Sequence, residues 1–225
     1  MKKNAYYIGL LVVIIVVGVF AAVEISRRIA NDTVTDQNRH EVGKKPAELV
    51  TIGKAPAFAF TDQNNNPISN KDYEGKVYIV DFFFVNCPTI CPVMSQNLVK
   101  IQNAFEGENI GFASFTINPE VDTPEVLKAY ADKYGVTNPS WHFLTGDVDD
   151  IYELANKSFN LYAGKGSEEA GGFEHSGMFA LIDQNGNIIS RKDAYGNPIV
   201  YYDGLNDDGI KMLSEDVRQL LGKKK

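Results

Sequence analysis

Residues 85–94 read Val-Asn-Cys-Pro-Thr-Ile-Cys-Pro-Val-Met and hold both cysteines of the 225-residue chain. The run before them, residues 77–84, is short, continuous and rich in β-branched and aromatic side chains, which predicts a buried strand. After Cys91, apolar residues recur at helical spacing: Met94, Leu98, Ile101 and Phe105. Pro92 suits a first helical turn, where its missing N–H would have no partner anyway. The stretch therefore predicts a strand, a loop and a helix, with both thiols at or just before the helix N-terminus.

This placement predicts a metal and redox site at Cys87 and Cys91. Free N–H groups and the positive end of the helix dipole favour thiolate over thiol and lower a cysteine pKa, and the thiolate is both the nucleophile and the metal ligand. Helical residues four apart lie on one face, with Cα atoms roughly 6 Å apart, which permits either a disulfide or shared coordination of one ion. A purely structural staple is the weaker alternative, because closing so short a loop restricts the unfolded chain least.

Composition limits the classes of partner. The chain is 44% hydrophobic and 23% charged, which supplies enough apolar residues for one full core plus an appendage. Its 22 Lys and Arg against 29 Asp and Glu give a net charge of −7, which disfavours nucleic acid and suits a basic protein partner. Only two cysteines, placed together in one short stretch, exclude a disulfide-dense scaffold.

The N-terminus predicts a membrane anchor at residues 1–25. Residues 5–23 form an apolar run of 19 residues without a charge, long enough to cross a bilayer as a helix. A cleaved signal peptide is the alternative, since Lys2 and Lys3 form a positive n-region and Val19-Phe20-Ala21 is a tolerable cleavage site. The length of the run and the following Arg27 and Arg28 favour the anchor. Because basic residues flank both ends, charge favours neither orientation.

Two further segments follow the anchor. Residues 26–50 are polar and aperiodic, which predicts a flexible tether, and His40 within it is interpreted as a solvated surface residue. A folded domain is predicted over residues 51–222.

Strand and helix patterns alternate through this domain, which predicts a βαβ unit and an α/β fold. The strands are expected in a hairpin around the turn 62–67, at residues 110–117 and 141–144, and in a hairpin at 178–190 whose Asn185-Gly186 supplies left-handed turn residues. The helices are expected to start at the N-caps Thr123 and Asp147 and near Asn206, with the Thr123 helix ending at Gly135. Residues 164–172 are predicted to form a mobile loop. His142 is interpreted as packed.

Three segments of the chain resemble the Sco/SenC family of thioredoxin-fold copper proteins. The family's strand, Cys-Pro-x-x-Cys-Pro and helix correspond to Phe84 through Leu98. Its Asp-Pro-x-x-Asp-Thr-Pro segment corresponds to Asn118-Pro119-Glu120-Val121-Asp122-Thr123-Pro124, with Asn118 and Val121 departing from the usual Asp and Arg. Its His-Ser motif opening a strand corresponds to Glu174-His175-Ser176-Gly177-Met178. The resemblance covers about residues 50–221.

The resemblance implies a thioredoxin-like α/β fold, with a central mixed sheet flanked by helices, behind an N-terminal transmembrane helix. In that topology the loop carrying His175 faces the N-terminus of the cysteine-bearing helix, which makes His175 a third ligand beside Cys87 and Cys91. Two thiolates and one imidazole suit Cu(I), with Cu(II) or Zn(II) as alternatives. Met94 and Met178 are further sulfur candidates, but a core-filling role is favoured for each.

Two functional hypotheses remain. As the resemblance implies, the chain is a membrane-anchored metallochaperone on the extracytoplasmic side that passes copper to the binuclear copper site of cytochrome c oxidase subunit II. The alternative is a thiol–disulfide oxidoreductase that cycles Cys87 and Cys91 as a redox pair and keeps the copper-ligand cysteines of its partner reduced. A peroxiredoxin-like peroxidase ranks third. Coordination of copper is expected to require His175, whereas thiol–disulfide exchange is expected to proceed without it.

Overall fold

The computed structural model describes residues 17–19 and 46–222. Of the predicted anchor only residues 17–19 are described, and they are helical; the rest of it, most of the tether and His40 lie outside the described residues. Within the described residues, no helix is long and apolar enough to cross a membrane. Residues from Ala47 onward form one compact unit.

Eleven strands and four α-helices are described in this unit. The strands are β1 Leu49–Lys54, β2 Ala59–Thr61, β3 Pro67–Ser69, β4 Val77–Phe83, β5 Ile110–Thr116, β6 Trp141–Leu144, β7 Ala163–Lys165, β8 Phe173–His175, β9 Met178–Ile182, β10 Asn187–Arg191 and β11 Tyr202–Asp203. The helices are α1 Cys91–Ala104, α2 Pro124–Tyr134, α3 Val148–Glu153, which continues as a π-helical segment Leu154–Phe159, and α4 Asp207–Leu220.

Seven of the strands form one mixed sheet, in the order β1-β10-β9-β4-β5-β6 with β11 also paired to β9. Strand β4 is parallel to β5, and β5 is parallel to β6, whereas β4 pairs with β9 in the antiparallel sense. The predicted βαβ unit is confirmed as β4, α1 and β5. Because β4 has a strand on each side and every one of its residues is buried, it is the rigid centre from which the cysteine loop emerges.

The hydrophobic core includes the buried residues of β4, β5, β6 and β9 and is rich in aromatic rings. Phe82 stacks on Phe115 at a centroid distance of 5.4 Å, and Phe83 meets Phe143 edge-on at 5.5 Å. Such aromatic pairs stabilise a fold by more than the burial of their surface area alone. Helix α1 is joined to α2 by the hydroxyls of Ser95 and Tyr130, 2.8 Å apart. The N-terminal end of α1 is thereby held in place beside the sheet.

The predicted helix boundaries are confirmed. Pro92 lies in the first turn of α1, and the buried residues of that helix include Met94, Leu98 and Ile101. The Thr123 side chain accepts from the Val126 N–H, and α2 ends at a left-handed Gly135. Asp147 caps α3, and Asn206 caps α4 through the Gly209 N–H.

Three local predictions need correction. The predicted loop 164–172 is the turn of a hairpin: residues 164 and 165 belong to β7, which pairs with β8, and a short 3₁₀ turn, Glu168–Ala170, lies in the connection between the two strands. Gly186 alone adopts the left-handed conformation in the β9–β10 turn, where Asp183 Oδ1 instead accepts the N–H groups of Asn185 and Asn187. Met178 is 38% exposed and therefore does not fill the core.

Strands β1, β7, β8 and β11 were not predicted. Strand β1 pairs with β10 at the edge of the sheet, with a register shift between Thr51 and Gly53. Its residues are half-buried or exposed, so they carry little hydrophobic pattern. Backbone pairing with β10, which the local sequence of β1 does not indicate, is what makes this segment a strand.

Candidate metal centre

Strand β4 ends at Phe83, and the chain then turns sharply toward helix α1. The Phe84 carbonyl accepts the N–H of Cys87 at 3.3 Å, which closes the turn between the strand and the first cysteine. Cys91 is the first residue of α1, and its backbone N–H donates to Cys87 Sγ at 3.4 Å. The helix N-terminus therefore points one of its free N–H groups at the first thiol, as the sequence predicted.

His175 reaches the cysteines from a separate hairpin. It is the last residue of β8, and not the first residue of the following strand as the sequence resemblance implied. Its Nδ1 lies 3.0 Å from the carbonyl oxygen of Ser176, which assigns the proton to Nδ1 and leaves Nε2 as the free donor of electrons. Nε2 lies 2.9 Å from Cys91 Sγ.

The β7–β8 hairpin packs closely over the cysteine loop. The Phe84 ring meets the edge of the His175 ring at 6.1 Å and lies 5.4 Å from the ring of Phe173. At Gly171, with φ +82°, a Cβ would lie 3.0 Å from the Phe84 ring and 3.1 Å from Pro88, closer than ordinary van der Waals contact, and the positive φ would strain any other residue. The hairpin that carries His175 therefore lies directly against the cysteine loop.

The structure brings the three predicted ligands together. Sγ of Cys87, Sγ of Cys91 and a ring nitrogen of His175 all lie within 4.8 Å of one another, and all three residues are buried. Two soft sulfurs and one imidazole nitrogen at this spacing could hold a single thiophilic ion. Of the other residues considered, Met94 is in the core as expected, and His142 pairs with the buried Asp62 through Nδ1 at 3.1 Å.

The two thiols differ in acidity. The hydrogen bond with Cys91 lowers the pKa of Cys87 to about 3, against the effect of burial and with help from His175 and backbone N–H groups. Burial and the neighbouring Cys87 sulfur raise the pKa of Cys91 above its ordinary value. At neutral pH the metal-free pair therefore holds one thiolate, on Cys87, and one thiol, whose proton faces His175 Nε2.

Two buried carboxyls near the centre were missed by the sequence analysis. Asp81, on β4, accepts from the Ser114 hydroxyl at 2.6 Å, and burial raises the pKa of Asp81 to about 7 despite this hydrogen bond and the nearby His175. Asp122 accepts from the N–H of Val85 at 3.1 Å. An acidic residue inside the apolar run 77–84 was the available signal for Asp81, and the Asp-Thr-Pro sequence was the signal for Asp122.

Comparison with known proteins agrees with this geometry. A family model described as SCO1/SenC matches residues 49–206, most of the chain. The chain belongs to the SCO1/SenC family. The SCO1 protein homolog of Bacillus subtilis is 34% identical over 154 residues, which cover 67% of this chain and 78% of that protein.

Solved structures of SCO1/SenC proteins share the fold. A family lipoprotein from Bacillus anthracis is 32% identical, with a TM-score of 0.65 over 75% of this chain and 95% of that one. BsSco, described as a member of the Sco family of cytochrome c oxidase assembly proteins with a disulfide switch, is 27% identical, with a TM-score of 0.63 over 78% and 98%. Yeast Sco1 with copper bound is 26% identical, with a TM-score of 0.54 over 76% and 95%. The predicted thioredoxin-like fold with a central mixed sheet is confirmed, and relatives of this SCO1/SenC chain bind copper.

Proposed function

We propose that this chain is a copper-binding protein of cytochrome c oxidase assembly that delivers copper to, or prepares, the binuclear copper site of subunit II. The observation that carries the proposal is the convergence of Cys87, Cys91 and His175 within 4.8 Å. In this proposal those three residues hold the copper, which is cargo and not a resident cofactor. The two sulfurs favour Cu(I), and the imidazole adds a donor acceptable to both Cu(I) and Cu(II).

Burial and hydrogen bonding suit reversible capture. Cys87 is already a thiolate at neutral pH, so copper displaces one proton, from Cys91, when both sulfurs coordinate it. The Nδ1–H of His175 is held by the Ser176 carbonyl, which keeps Nε2 directed at the thiols. The centre is therefore arranged for an ion before the ion arrives.

A second function is supported by the same thiol pair. As a thiol–disulfide oxidoreductase, the chain would use the Cys87 thiolate to attack a partner disulfide and release one partner thiolate, forming a mixed disulfide. Cys91, losing its proton to His175 Nε2 at 2.9 Å, would then attack Cys87 and release the second partner thiolate. Two electrons pass to the partner, and a Cys87–Cys91 disulfide remains. His175 thus has a role in exchange, which differs from the expectation that exchange proceeds without it.

The membrane anchor belongs to the same proposal. The uncharged run 5–23 supports an N-terminal helix in the membrane, with residues 26–46 as a tether and the folded domain, which begins at Ala47, on the extracytoplasmic side. A tethered domain stays close to a membrane-embedded recipient, which raises its effective concentration there.

Metal analysis of reduced protein tests the proposal. Residues 47–225 are expected to bind one Cu(I) per chain in competition with a chelator, and the Cys87→Ser, Cys91→Ser double variant is expected to bind none. Mixing the loaded domain with the copper-free soluble domain of subunit II should then transfer the copper. Stoichiometric copper in the double variant would show that the site lies elsewhere. Cys91→Ser separates the two functions, since a reductase would accumulate as a mixed disulfide with subunit II.

A further inference from the structure

Asp122 connects the β5–α2 segment to the cysteine loop. It is completely buried, and its Oδ2 accepts two hydrogen bonds, one from the hydroxyl of Thr116 and one from the N–H of Val85 at 3.1 Å. Val85 lies two residues before Cys87 in the turn that leaves β4. The carboxylate therefore holds the backbone of the cysteine loop from outside the loop.

The peptide unit that Asp122 holds has a second contact. Its N–H belongs to Val85 and its carbonyl to Phe84, and that carbonyl accepts the N–H of Cys87 at 3.3 Å. Because a peptide unit is planar and rigid, fixing its N–H direction also fixes its C=O direction. Asp122 therefore orients, through a single rigid peptide unit, the Phe84 carbonyl that accepts the N–H of Cys87.

The other oxygen of Asp122 argues that this contact has a function. Oδ1 is a buried side-chain atom with no hydrogen-bond partner in the described part of the chain. Burial raises the pKa of Asp122 in spite of the bonds from Thr116 and Val85. A carboxyl kept in so unfavourable a place reduces stability, and such groups are retained where they position something else.

We infer that Asp122 is a positioning residue of the metal centre. It fixes the Phe84–Val85 peptide plane, and through that plane it sets Cys87 where its sulfur meets the Cys91 N–H. The copper part of this inference rests on the proposed function, whereas the backbone part does not. Removing the carboxylate frees the plane to rotate, so both the Val85 N–H and the Cys91 N–H lose their fixed partners.

Amide hydrogen exchange of the reduced, metal-free full chain measures this directly. In Asp122→Ala the amides of Val85 and Cys91 are expected to exchange about tenfold or more faster than in the wild type, under conditions where local opening dominates. Cu(I) affinity is expected to fall about 10- to 100-fold, as for other residues that orient metal ligands. Asp122→Asn keeps an acceptor oxygen for Val85 and is expected to retain most of both properties.

Asp62→Ala is the matched control. Asp62 is also buried, and it also accepts backbone N–H groups, those of Asn64 and Asn66 at 2.8 Å, in the β2–β3 turn. It should lose stability while leaving exchange at Val85 and Cys91 as in the wild type. Equal effects of Asp62→Ala and Asp122→Ala on those two amides and on copper would reduce Asp122 to a structural residue and overturn the inference.

Two further results keep the inference open to refutation. If Asp122→Ala does not fold, amide exchange of the wild type still tests the inference, because an unprotected Val85 amide in the folded protein would overturn it. If the wild type binds no copper but Asp122→Ala still frees both amides, the copper function fails and the positioning role stands.

Discussion

Asp81 predicts a measurable dependence of stability on pH. Burial raises the pKa of Asp81 from 3.8 to about 7, although the Ser114 hydroxyl and His175 act in the opposite direction. The difference of about 3 pKa units corresponds to about 4 kcal/mol at 1.36 kcal/mol per unit. Since the folded-state pKa is the higher one, this stability is fully present below pH 4 and is lost as pH rises to 7.

Asp81→Asn is expected to remove this loss of stability with rising pH while keeping the hydrogen bond from the Ser114 hydroxyl. The amide oxygen of Asn can still accept from Ser114, whose own oxygen accepts from Trp141 Nε1 at 3.1 Å. The variant is expected to gain about 4 kcal/mol in free energy of unfolding relative to the wild type between pH 4 and pH 8. Urea unfolding of both proteins, reduced and metal-free, measures this difference as a function of pH.

Asp62→Asn is the control, because the pKa of Asp62 is shifted in the opposite direction to that of Asp81. Burial acts to raise the pKa of Asp62, but backbone N–H groups of Asn66 and Asn64 and the side chain of His142 outweigh it and lower that pKa. Its contribution is therefore present above the unfolded-state pKa and lost as pH falls. If the Asp81→Asn and wild-type curves instead run parallel from pH 4 to pH 8, Asp81 does not titrate in that range and the reasoning fails.

Three other outcomes are expected. Copper and a Cys87–Cys91 disulfide should exclude each other, because a disulfide has no thiolate to coordinate; full copper occupancy without free thiols after denaturation would contradict this. His175→Ala should lose most Cu(II) binding and less Cu(I) binding, as measured by titration of each ion, with unchanged Cu(II) affinity counting against His175 as a ligand. The full-length chain should stay with membranes after a carbonate wash, and a mature N-terminus near Ala22 would indicate a cleaved signal instead.

Local sequence predicted the centre of the fold because its elements carry their own signals. Strand β4 is buried on both faces and reads as an apolar run interrupted only by Asp81, and α1 and α2 each have a proline in the first turn. The three ligands followed from residue chemistry and the family resemblance. What spacing alone did not reveal is that Cys87 lies in the loop, outside the helix, with only Cys91 on α1.

Elements that depend on distant partners were not predictable in this way. Strand β1 exists because it pairs with β10, and the β7–β8 hairpin exists despite a glycine-rich composition that favours a loop. Asp81, inside an apolar run, and Asp122, in the Asp-Thr-Pro sequence, each carry a sequence signal that does not reveal what the side chain contacts. Their importance comes from burial against Ser114, Thr116 and Val85, which only the tertiary structure brings together.

Because His175 lies far from the two cysteines in sequence, binding of an ion by all three candidate ligands depends on folding. Cys91 and His175 are 84 residues apart in sequence, so the complete ligand set does not exist in an unfolded chain. Bringing the ends of such a loop together costs about 4 kcal/mol of chain entropy, which the folded protein has already overcome. An ion held by all three residues therefore acts as a cross-link between two halves of the domain, and releasing it loosens the molecule that carried it.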